Sequence, residues 1–502
     1  MESFRRITRI DNIPLNEVFL WHTREGAFER LNPPWQPFTV VERKGSVRNN
    51  GVVKIRMMGF GPLHMKWVVK HSDYIEGKQF RDVQVSGLFS SWTHTHLFES
   101  FGSSSCQLQD HIEYSLPGGP LGRIIARNLV NKKLQKIFDY RHRITEQDTH
   151  NHHSVIHKIL KNNNPMTIAI TGSSGFIGSS LIPFLTTGGH KVIRLLRRRP
   201  NPDESTASVQ SIQWNPSSTS SSSSSDSIGL LSTIDDNSTI SAVVNLAGEN
   251  VFGRWTEKKK MRILESRVNT TRSLCKDLAS LDKPPKILVS ASATGYYGDR
   301  KNNEVLTEDS STSSTNAVPY SSSSSNNNNS VDFLSEVSSQ WEEATQIAKQ
   351  AGIRVVNLRI GVVLSASGGI LAKILTPLKM GFGGKIGRGN QYISWIALDD
   401  LLGIILHAIA DESLVGPINA VAPNPVTNAD FTKILGKVLS RPTIFSIPKS
   451  IIRAVLGKEL ADAIILSSIK VMPTRLTETS NYQFRFPYLE EALRHTLGKN
   501  TV

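Results

Sequence analysis

The feature that most constrains this sequence is a glycine-rich loop at residues 171–178, between a strand pattern and a helix pattern. Residues 167–170 form a short apolar run that is typical of a buried strand, and the residues after the loop have helical spacing. Gly172 permits a tight turn, Gly175 lets backbone approach a ligand, and Gly178 allows the helix to pack closely on the strand. The N–H groups at the helix start then face an anion such as a pyrophosphate. The pattern predicts a dinucleotide-binding fold.

The end of the second predicted strand, residues 191–196, indicates which dinucleotide is preferred. A site for NAD usually has Asp or Glu about 20 residues after the glycines, where the carboxylate binds the ribose hydroxyls. Here Leu196 takes that position, and Arg197, Arg198 and Arg199 follow it. Guanidinium groups donate paired hydrogen bonds to anions and therefore suit a 2′-phosphate. The sequence predicts NADP(H) as the cofactor, with Arg199 in a solvated loop.

Two further strand patterns end in residues that suit a cofactor and a substrate. Residues 242–246 run into a turn of small residues, and residues 287–289 run into a segment rich in Ser and Tyr. Small residues let the adenosine side of a cofactor lie against backbone, and hydroxyls beside the expected nicotinamide can bond a substrate oxygen. The residues predicted from these two strand ends are Leu246, Ala247, Gly248, Ser290, Ser292, Tyr296 and Tyr297.

Several segments together carry a family likeness. They are residues 171–178, 245–249, 254–255, 266–267, 290–298, 341–342, 359–364 and 381–400. These segments resemble an extended short-chain dehydrogenase/reductase, and more narrowly the "epimerase family protein" group, a relative of nucleotide-sugar epimerases with its own C-terminal domain. The resemblance covers residues 166–497. It implies that NADP is contacted by Gly172, Ser174, Gly175, Phe176, Ile177, Gly178, Arg197, Leu246, Ala247, Arg267 and Val363.

Residues 1–149 have a different pattern, with short β runs between two helical stretches. Strand patterns occur at residues 4–10, 52–58, 65–71, 79–85, 91–99 and 106–114, and helical spacing occurs at 16–30 and 122–143. This order predicts an α+β helix-grip domain with a cavity between the sheet and the long helix. The predicted apolar stripe of that helix is Ile124, Leu129, Leu134, Ile137 and Phe138. Residues 26–31 and 33–35 resemble a START-like, polyketide-cyclase-like domain, which implies an apolar ligand in the cavity.

The predicted fold class is therefore α/β: a doubly wound Rossmann sheet with a small C-terminal lobe, preceded by the helix-grip domain. The predicted organisation is a START-like domain at 1–149, a linker at 150–165, an NADP-binding domain at 166–400 and the lobe at 401–502. Two polar tracts, near residues 217–227 and 311–330, cannot build a core and are predicted to be disordered inserts.

Residues 150–165 also contain a group of histidines. His150, His152 and His153, beside Asp148, could imitate a metal site, but a solvated linker is the favoured interpretation and no metal is predicted.

In the C-terminal part, two helix starts are predicted from capping residues. Asp399 is predicted to cap a helix that runs to Ala410, and Thr427 with Asn428 is predicted to cap another at residues 431–439. These elements are expected to form the lobe that closes over the cofactor.

Whole-chain properties narrow the partners. The net charge is +15, but basic residues are spread along the chain among acids, so nucleic-acid binding is not predicted. No apolar run approaches the ~20 residues of a membrane-spanning helix, and no secretory signal is evident. The two cysteines, Cys106 and Cys275, suit a reducing compartment. The expected location is the cytosol, or an organelle reached by a signal that the sequence does not reveal.

The catalytic pair that the resemblance implies is missing. Members of the superfamily use a Tyr and, four residues later on one helix, a Lys that lowers the Tyr pKa. The corresponding positions hold Leu334 and Ser338. Tyr320 does not restore the pair, because Ser324 lies four residues after it.

Two function classes remain open. In the first, the protein is an NADP-dependent oxidoreductase or epimerase-like enzyme that acts on an unknown small molecule. Ser292 then binds the substrate oxygen, and Tyr296 or Tyr297 replaces the missing acid. In the second, the protein is a non-catalytic NADPH-sensing regulator with an apolar-ligand-binding N-terminal domain.

Overall fold

The computed structural model describes residues 1–36, 38–58, 64–102, 104–117, 119–160, 164–216, 239–300, 304–312 and 332–499. These residues form two compact units. The first unit is built on residues 1–160, and the second on residues 164–182 and 190–493; residues 183–189 and 494–499 cluster with the first. The predicted insert at 217–227 lies outside the described residues, as do Tyr320, Ser324 and nearly all of 311–330.

An antiparallel sheet and one long helix dominate the first unit. Its elements in chain order are β1 (Glu2–Ile10), α1 (Leu15–Thr23), α2 (Ala27–Arg30), β2 (Phe38–Lys44), β3 (Val52–Met58), β4 (His64–Ile75), β5 (Gln79–Ser86), β6 (Ser91–Phe101), β7 (Ser105–Ser115) and α3 (Gly119–His153). The strands pair in the order β1-β7-β6-β5-β4-β3-β2. β2 was not predicted, and the predicted helix at 16–30 is interrupted at Gly26, whose φ of 94° is outside the helical region.

The long helix α3 packs on the sheet through part of its predicted apolar stripe. Leu134, Ile137 and Phe138 are buried beside Trp92 and Tyr114 of the sheet. The prediction for Leu129 was wrong, because its side chain is 56% exposed. The helix is also longer than predicted: it continues to His153 and passes into a π-helical segment, Ser154–Leu160, so most of the predicted linker is helical.

The second unit alternates strands and helices. Its elements are β8 (Thr167–Thr171), α4 (Phe176–Thr187), β9 (Lys191–Leu196), β10 (Val209–Gln213), β11 (Ala242–Asn245), α5 (Glu257–Ala279), β12 (Ile287–Ala293), β13 (Val305–Leu306), α6 (Phe333–Glu343), α7 (Gln346–Gln350), β14 (Arg354–Ile360), β15 (Val362–Leu364), α8 (Gly369–Lys379), β16 (Gly384–Ile386), β17 (Tyr392–Ile393), β18 (Trp395–Ala397), α9 (Leu398–Ala410), β19 (Gly416–Ala420), β20 (Val426–Thr427), α10 (Asn428–Leu439), β21 (Phe445–Ile447), α11 (Lys449–Leu456), α12 (Lys458–Leu460), β22 (Lys470–Val471) and α13 (Leu489–Leu497). The last residues of α4 and α13 cluster with the first unit.

The main sheet of the second unit is parallel, with strand order β10-β9-β8-β11-β12-β14-β19. Its inner strands are nearly continuous runs of buried residues, as expected for a sheet covered on both faces. The strand order reverses between β8 and β11, and ligands of doubly wound sheets bind at such a switch point. The sheet extends to Ala420, past the predicted lobe boundary at residue 400. The predicted fold class is confirmed.

The two predicted caps had different outcomes. Thr427 caps α10, because its side chain accepts a hydrogen bond from the Asp430 N–H. The prediction for Asp399 was wrong: α9 begins after Ala397, which makes no side-chain cap. No helix among the described residues combines the length and the hydropathy that a membrane crossing needs.

Candidate functional site

The predicted glycine loop joins β8 to α4 at the switch point of the parallel sheet. Gly172 has a φ of +65°, and a Cβ on it would lie 2.4 Å from the carbonyl oxygen of Leu246. A Cβ on Gly178 would lie 2.4 Å from the carbonyl oxygen of Gly172. Both glycines are therefore required by close backbone contacts, one with the end of β11 and one within the loop.

Gly175 differs from the other two glycines of the loop, Gly172 and Gly178, because it is exposed. Among the described residues other than its chain neighbours, a Cβ there would have one atom within 4 Å, the Gly172 carbonyl oxygen at 3.1 Å. Ser174 is exposed beside it, and Phe176 and Ile177 are half-buried. The first turn of α4 thus presents backbone to open space, as a helix terminus that receives a phosphate must.

Two polar atoms beside the loop are buried without a hydrogen-bond partner among the described residues: Ser173 Oγ and Arg194 Nε. Another nitrogen of the Arg194 guanidinium lies 3.4 Å from Ser174 Oγ. Buried polar groups are nearly always paired, so these atoms favour a polar ligand at the loop. The residues present therefore fit a dinucleotide. Arg194 was not predicted, because it lies inside β9 and the prediction used only the residues at the end of that strand.

The predicted basic residues at the end of β9 lie in different environments. Leu196 is 6% exposed, and Arg197 is exposed directly after it. Arg198 is paired with Glu204 and is therefore less available to a ligand. Arg197 is close enough to Glu249 to help hold the pKa of that carboxyl below its usual range, although the hydrogen bond from Lys259 is the main cause.

A row of polar side chains crosses the carboxyl ends of three neighbouring strands. Asn245 accepts a hydrogen bond from Thr171 Oγ1 at 2.7 Å and donates to Thr271 Oγ1 at 2.8 Å and to Ser290 Oγ at 3.1 Å. The predicted residue Ser290 is fully buried in this row. Ser290 is therefore held by a hydrogen bond within the sheet. The sequence did not predict that Asn245 connects Thr171 with Ser290.

The turn after β11 lies against the predicted arginine of α5. Leu246 and Ala247 are half-buried, Gly248 is exposed, and a Cβ on Gly248 would lie 3.2 Å from the Arg267 guanidinium carbon. Arg267 donates to the Ile263 carbonyl at 3.1 Å and lies over the Trp341 ring. Burial lowers its pKa to about 10, against the attraction of Glu249. A cation held beside an exposed glycine turn suits a phosphate ligand.

The half-buried Val363 lies in β15, and Gly368 and Gly369 lie where α8 begins. A Cβ on Gly368 would lie 2.4 Å from the Phe176 ring, and one on Gly369 would lie 3.2 Å from the Val363 carbonyl. The structure therefore brings Val363 and Phe176 close to the same end of α8.

Ser292 is engaged in a buried charged network. Its hydroxyl donates to Glu342 at 2.7 Å, and Glu342 accepts two hydrogen bonds from Arg359, each 2.9 Å long. Ser292 and Arg359 lie opposite each other on β12 and β14. Burial would lower the pKa of Arg359, but Glu342 outweighs burial and raises it. Glu342 and Arg359 were seen in the sequence only as parts of family motifs.

The two predicted tyrosines have different surroundings. Tyr297 is fully buried; its hydroxyl donates to Asn419 at 2.7 Å and accepts from Arg359 at 2.9 Å. Burial raises the pKa of Tyr297 to about 12. Tyr296 is half-buried, its ring centroid is 3.5 Å from the Arg359 guanidinium carbon, and its hydroxyl has no hydrogen bond to any described residue. Tyr296 is thus the more available hydroxyl.

Helix α6 brings the positions of the missing pair against the tyrosine segment. A Cβ on Gly295 would lie 3.3 Å from Leu334 Cβ, Ser335 donates to the Tyr296 carbonyl at 2.8 Å, and Ser338 is 3% exposed. An apolar side chain and a small hydroxyl therefore occupy the helix face beside the segment 294–297.

Family comparison agrees with this geometry. Residues 168–420 match the family described as NAD dependent epimerase/dehydratase family, and residues 447–496 match a domain of unknown function, DUF1731. Epimerase family protein SDR39U1 of Bos taurus is 33% identical over 337 residues, 66% of this chain and 100% of the relative. Epimerase family protein MT2273 of Mycobacterium tuberculosis is 36% identical over 327 residues, 65% of this chain and 96% of the relative.

Two solved structures extend the comparison. A nucleoside-diphosphate sugar epimerase from Corynebacterium glutamicum has a TM-score of 0.73 and 31% identity, covering 99% of this chain and 90% of that one. Human epimerase family protein SDR39U1, isoform 2, solved with NADPH, has a TM-score of 0.55 and 32% identity, covering 66% of this chain and 99% of that one. The chain therefore belongs to the NAD dependent epimerase/dehydratase family of extended short-chain dehydrogenase/reductases.

Proposed function

We propose that this protein binds NADP(H) at the 171–178 loop and acts as an oxidoreductase or epimerase-like enzyme on a small molecule. The observation that carries the proposal is the exposed backbone at Gly175, together with the buried Nε of Arg194, which has no hydrogen-bond partner in the part of the chain that the structure describes. Arg197 is exposed at the end of β9, where a 2′-phosphate would be selected. The human relative solved with NADPH supports this cofactor. When bound, NADP(H) supplies or accepts a hydride.

The substrate side of the proposal rests on Ser292 and Tyr296. The Ser292 hydroxyl already donates to Glu342, so its lone pairs remain to accept a hydrogen bond from a substrate hydroxyl. Tyr296 is the proposed proton donor, because its hydroxyl has no partner among the described residues and Arg359 lies against its ring. Tyr297 would act as a positioning residue that holds Arg359 and Asn419.

The alternative is an NADPH-sensing regulator without turnover. One observation favours it: the hydroxyls of Ser292 and Tyr297 are both committed to the Glu342–Arg359 network. In addition, the helix positions of the usual Tyr and Lys hold Leu334 and Ser338. A site with no free acid would still bind the cofactor.

One experiment distinguishes the two functions. NADPH binding is titrated by fluorescence, and NADPH oxidation is followed by absorbance with a panel of carbonyl substrates. We expect oxidation with at least one substrate, and we expect Tyr296→Phe to lower turnover about 100-fold or more without changing NADPH affinity. Tyr297→Phe is the matched control. It should lower the free energy of unfolding and reduce turnover less than Tyr296→Phe does. Tight NADPH binding with no oxidation of any carbonyl substrate would favour the sensor over the oxidoreductase.

For the first unit, we propose a START-like helix-grip domain with a ligand site between sheet and helix. The antiparallel sheet against α3 supports this assignment. We also propose a reducing compartment, the cytosol or an organelle, because Cys106 and Cys275 are both free and buried. The name of one relative, from Arabidopsis thaliana, includes the word chloroplastic.

A further inference from the structure

A cluster of histidines and carboxylates is buried in the first unit, on one face of its sheet. Strand register brings the cluster together: Asp82 lies opposite His94, and His96 lies opposite Asp110. His94 and His96 are two residues apart on β6, so their side chains share a face. His94, His96 and Asp110 are 3%, 6% and 3% exposed. Burying so many titratable groups is costly unless each has a partner.

Three of these side chains offer ligand atoms to a common space. One atom each from Asp82, His94 and His96 lies within 4.8 Å of the other two. Asp82 Oδ2 is 3.9 Å from His94 Nδ1 and 3.4 Å from His96 Nε2. Metal–ligand bonds of about 2.0–2.2 Å place neighbouring ligand atoms roughly 3.3 Å apart, so shifts below about 1 Å would complete a site.

Hydrogen bonds hold the remaining polar atoms of His94 and Asp82. His94 Nε2 is hydrogen-bonded to Asp110 Oδ1 at 2.9 Å, and His71 Nδ1 is hydrogen-bonded to Asp82 Oδ1 at 2.6 Å. The first contact directs Nδ1 of His94 toward Asp82, and the second leaves Oδ2 of Asp82 toward both histidines. Carboxylates that bond the far nitrogen of a metal-binding histidine fix its ring and tautomer in the same way. His142 anchors the other Asp110 oxygen at 2.8 Å.

His96 is the member that hydrogen bonds leave incomplete. Its Nδ1 is buried and has no hydrogen-bond partner among the described residues, although Asp110 Oδ1 is 2.7 Å away. This contact is short but is not aligned as a hydrogen bond, so the carboxylate of Asp110 does not satisfy Nδ1. His96 Nε2 makes only a long contact with Asp82 Oδ2, at 3.4 Å, and a cation between these two atoms would replace that contact.

Aromatic rings support the cluster, and one side of it remains accessible. The Phe80 ring stacks on His96 at 4.2 Å, and the Phe138 ring meets His94 edge-on at 5.2 Å. These contacts restrict both imidazoles. The Asp82 side chain is 22% exposed, which leaves a route for a small ion.

We infer that Asp82, His94 and His96 bind a divalent transition-metal cation, with coordination positions left open for a further ligand. Two imidazoles and one carboxylate are the donor set of open zinc and ferrous-iron sites. The site lies in the space between the sheet and α3, where the helix-grip pattern predicts a ligand. A bound substrate of this unit would therefore meet a Lewis acid.

A second group, Glu17, His153 and His157, also meets the distance requirement for a metal site. It is more exposed, and both histidines contact the Glu17 carboxylate, at 2.9 and 3.2 Å. Its three side chains reach solvent, whereas both histidines of the first group are buried, so it serves as a comparison in the test.

The test is metal binding by the full-length chain after treatment with a chelator. Zn²⁺, Co²⁺ and Fe²⁺ are each titrated by calorimetry, metal content is measured by mass spectrometry, and the Co²⁺ absorption spectrum reports the ligands. We expect one tightly bound cation per chain. We expect at least tenfold weaker binding in His94→Gln and His96→Gln, and a loss of about 10–100-fold in Asp110→Asn. His111→Gln, on the opposite face of β7, should bind normally.

Circular dichroism establishes that each variant is folded. The inference is overturned if the folded wild-type chain binds none of the three cations. It is also overturned if binding survives in both His94→Gln and His96→Gln, or if it disappears only when His153 and His157 are changed to Gln. A folded wild-type chain without affinity for any of the three cations overturns the inference even if a variant fails to fold.

Discussion

At the scale of single residues, Gly172 and Gly175 lie in one loop but have different roles. A side chain on Gly172 would collide with the backbone of Leu246, whereas a side chain on Gly175 would enter the open space that we propose for the pyrophosphate. Loss of the first glycine should therefore damage the fold, and loss of the second should damage binding.

We expect Gly175→Val to fold and to bind NADPH at least tenfold more weakly, because the branched side chain fills the phosphate space. Fluorescence titration gives the affinity, and circular dichroism shows whether both units remain folded. Gly172→Val is the matched comparison and should lose structure, since φ is +65° there. Retained affinity in a folded Gly175→Val protein would contradict the site.

The role of Arg197 in the preference for NADPH over NADH can be tested by substitution. We expect Arg197→Asp to weaken NADPH binding about tenfold or more while NADH binding changes little, because only NADPH carries the 2′-phosphate. Competition titrations with both nucleotides measure the difference. Arg199→Asp, which changes an exposed neighbour by the same charge, should affect neither strongly. Equal losses for the two nucleotides would remove the argument for a 2′-phosphate contact.

At the scale of elements, a side chain in the first turn of α9 accepts hydrogen bonds from the segment before α13. Asp400 is fully buried, and its carboxylate accepts hydrogen bonds from the N–H groups of Arg485 and Phe486, at 2.7 and 3.0 Å. Asp399 was predicted to cap the helix, but the neighbouring carboxylate instead joins α9 to the segment before α13. This connection depends on residues 85 and 86 positions away, so no local pattern predicts it.

The ionisation of Asp400 gives a pH prediction. Burial raises its pKa from 3.8 to about 6, and the N–H groups of Arg485 and Phe486 oppose the rise. The folded state therefore holds the proton more tightly than the unfolded state. The contribution to stability is complete below the unfolded pKa and is lost as pH rises through about 6.

The difference in unfolding free energy between the wild type and Asp400→Asn isolates this effect. We expect that difference to increase by about 1.4 kcal/mol as pH is lowered from about 7.5 to about 5. Urea unfolding of the second unit at several pH values measures it. A difference that stays constant, or that decreases toward acid, would show that Asp400 ionises normally in the folded protein.

At the scale of the whole molecule, the parallel sheet decides which polar residues meet. Thr171, Asn245 and Ser290 come from strands far apart in sequence, yet their registers place them side by side. Ser292, Arg359 and Asn419 form a second row across the next strands. The candidate site thus contains two rows of buried polar side chains, and the second row explains why the hydroxyls of Ser292 and Tyr297 already have partners.

By itself, the sequence determined the glycine loop, the basic end of β9, the family and both fold patterns. Those features are local: helix and strand periods, turn glycines and capping side chains are visible within about twenty residues. The tertiary structure alone decided that Tyr297 is buried, that Ser292 bonds Glu342, that Leu129 is exposed, and that Asp82, His94 and His96 converge. Such facts depend on strand register and packing between distant segments, which local patterns do not encode.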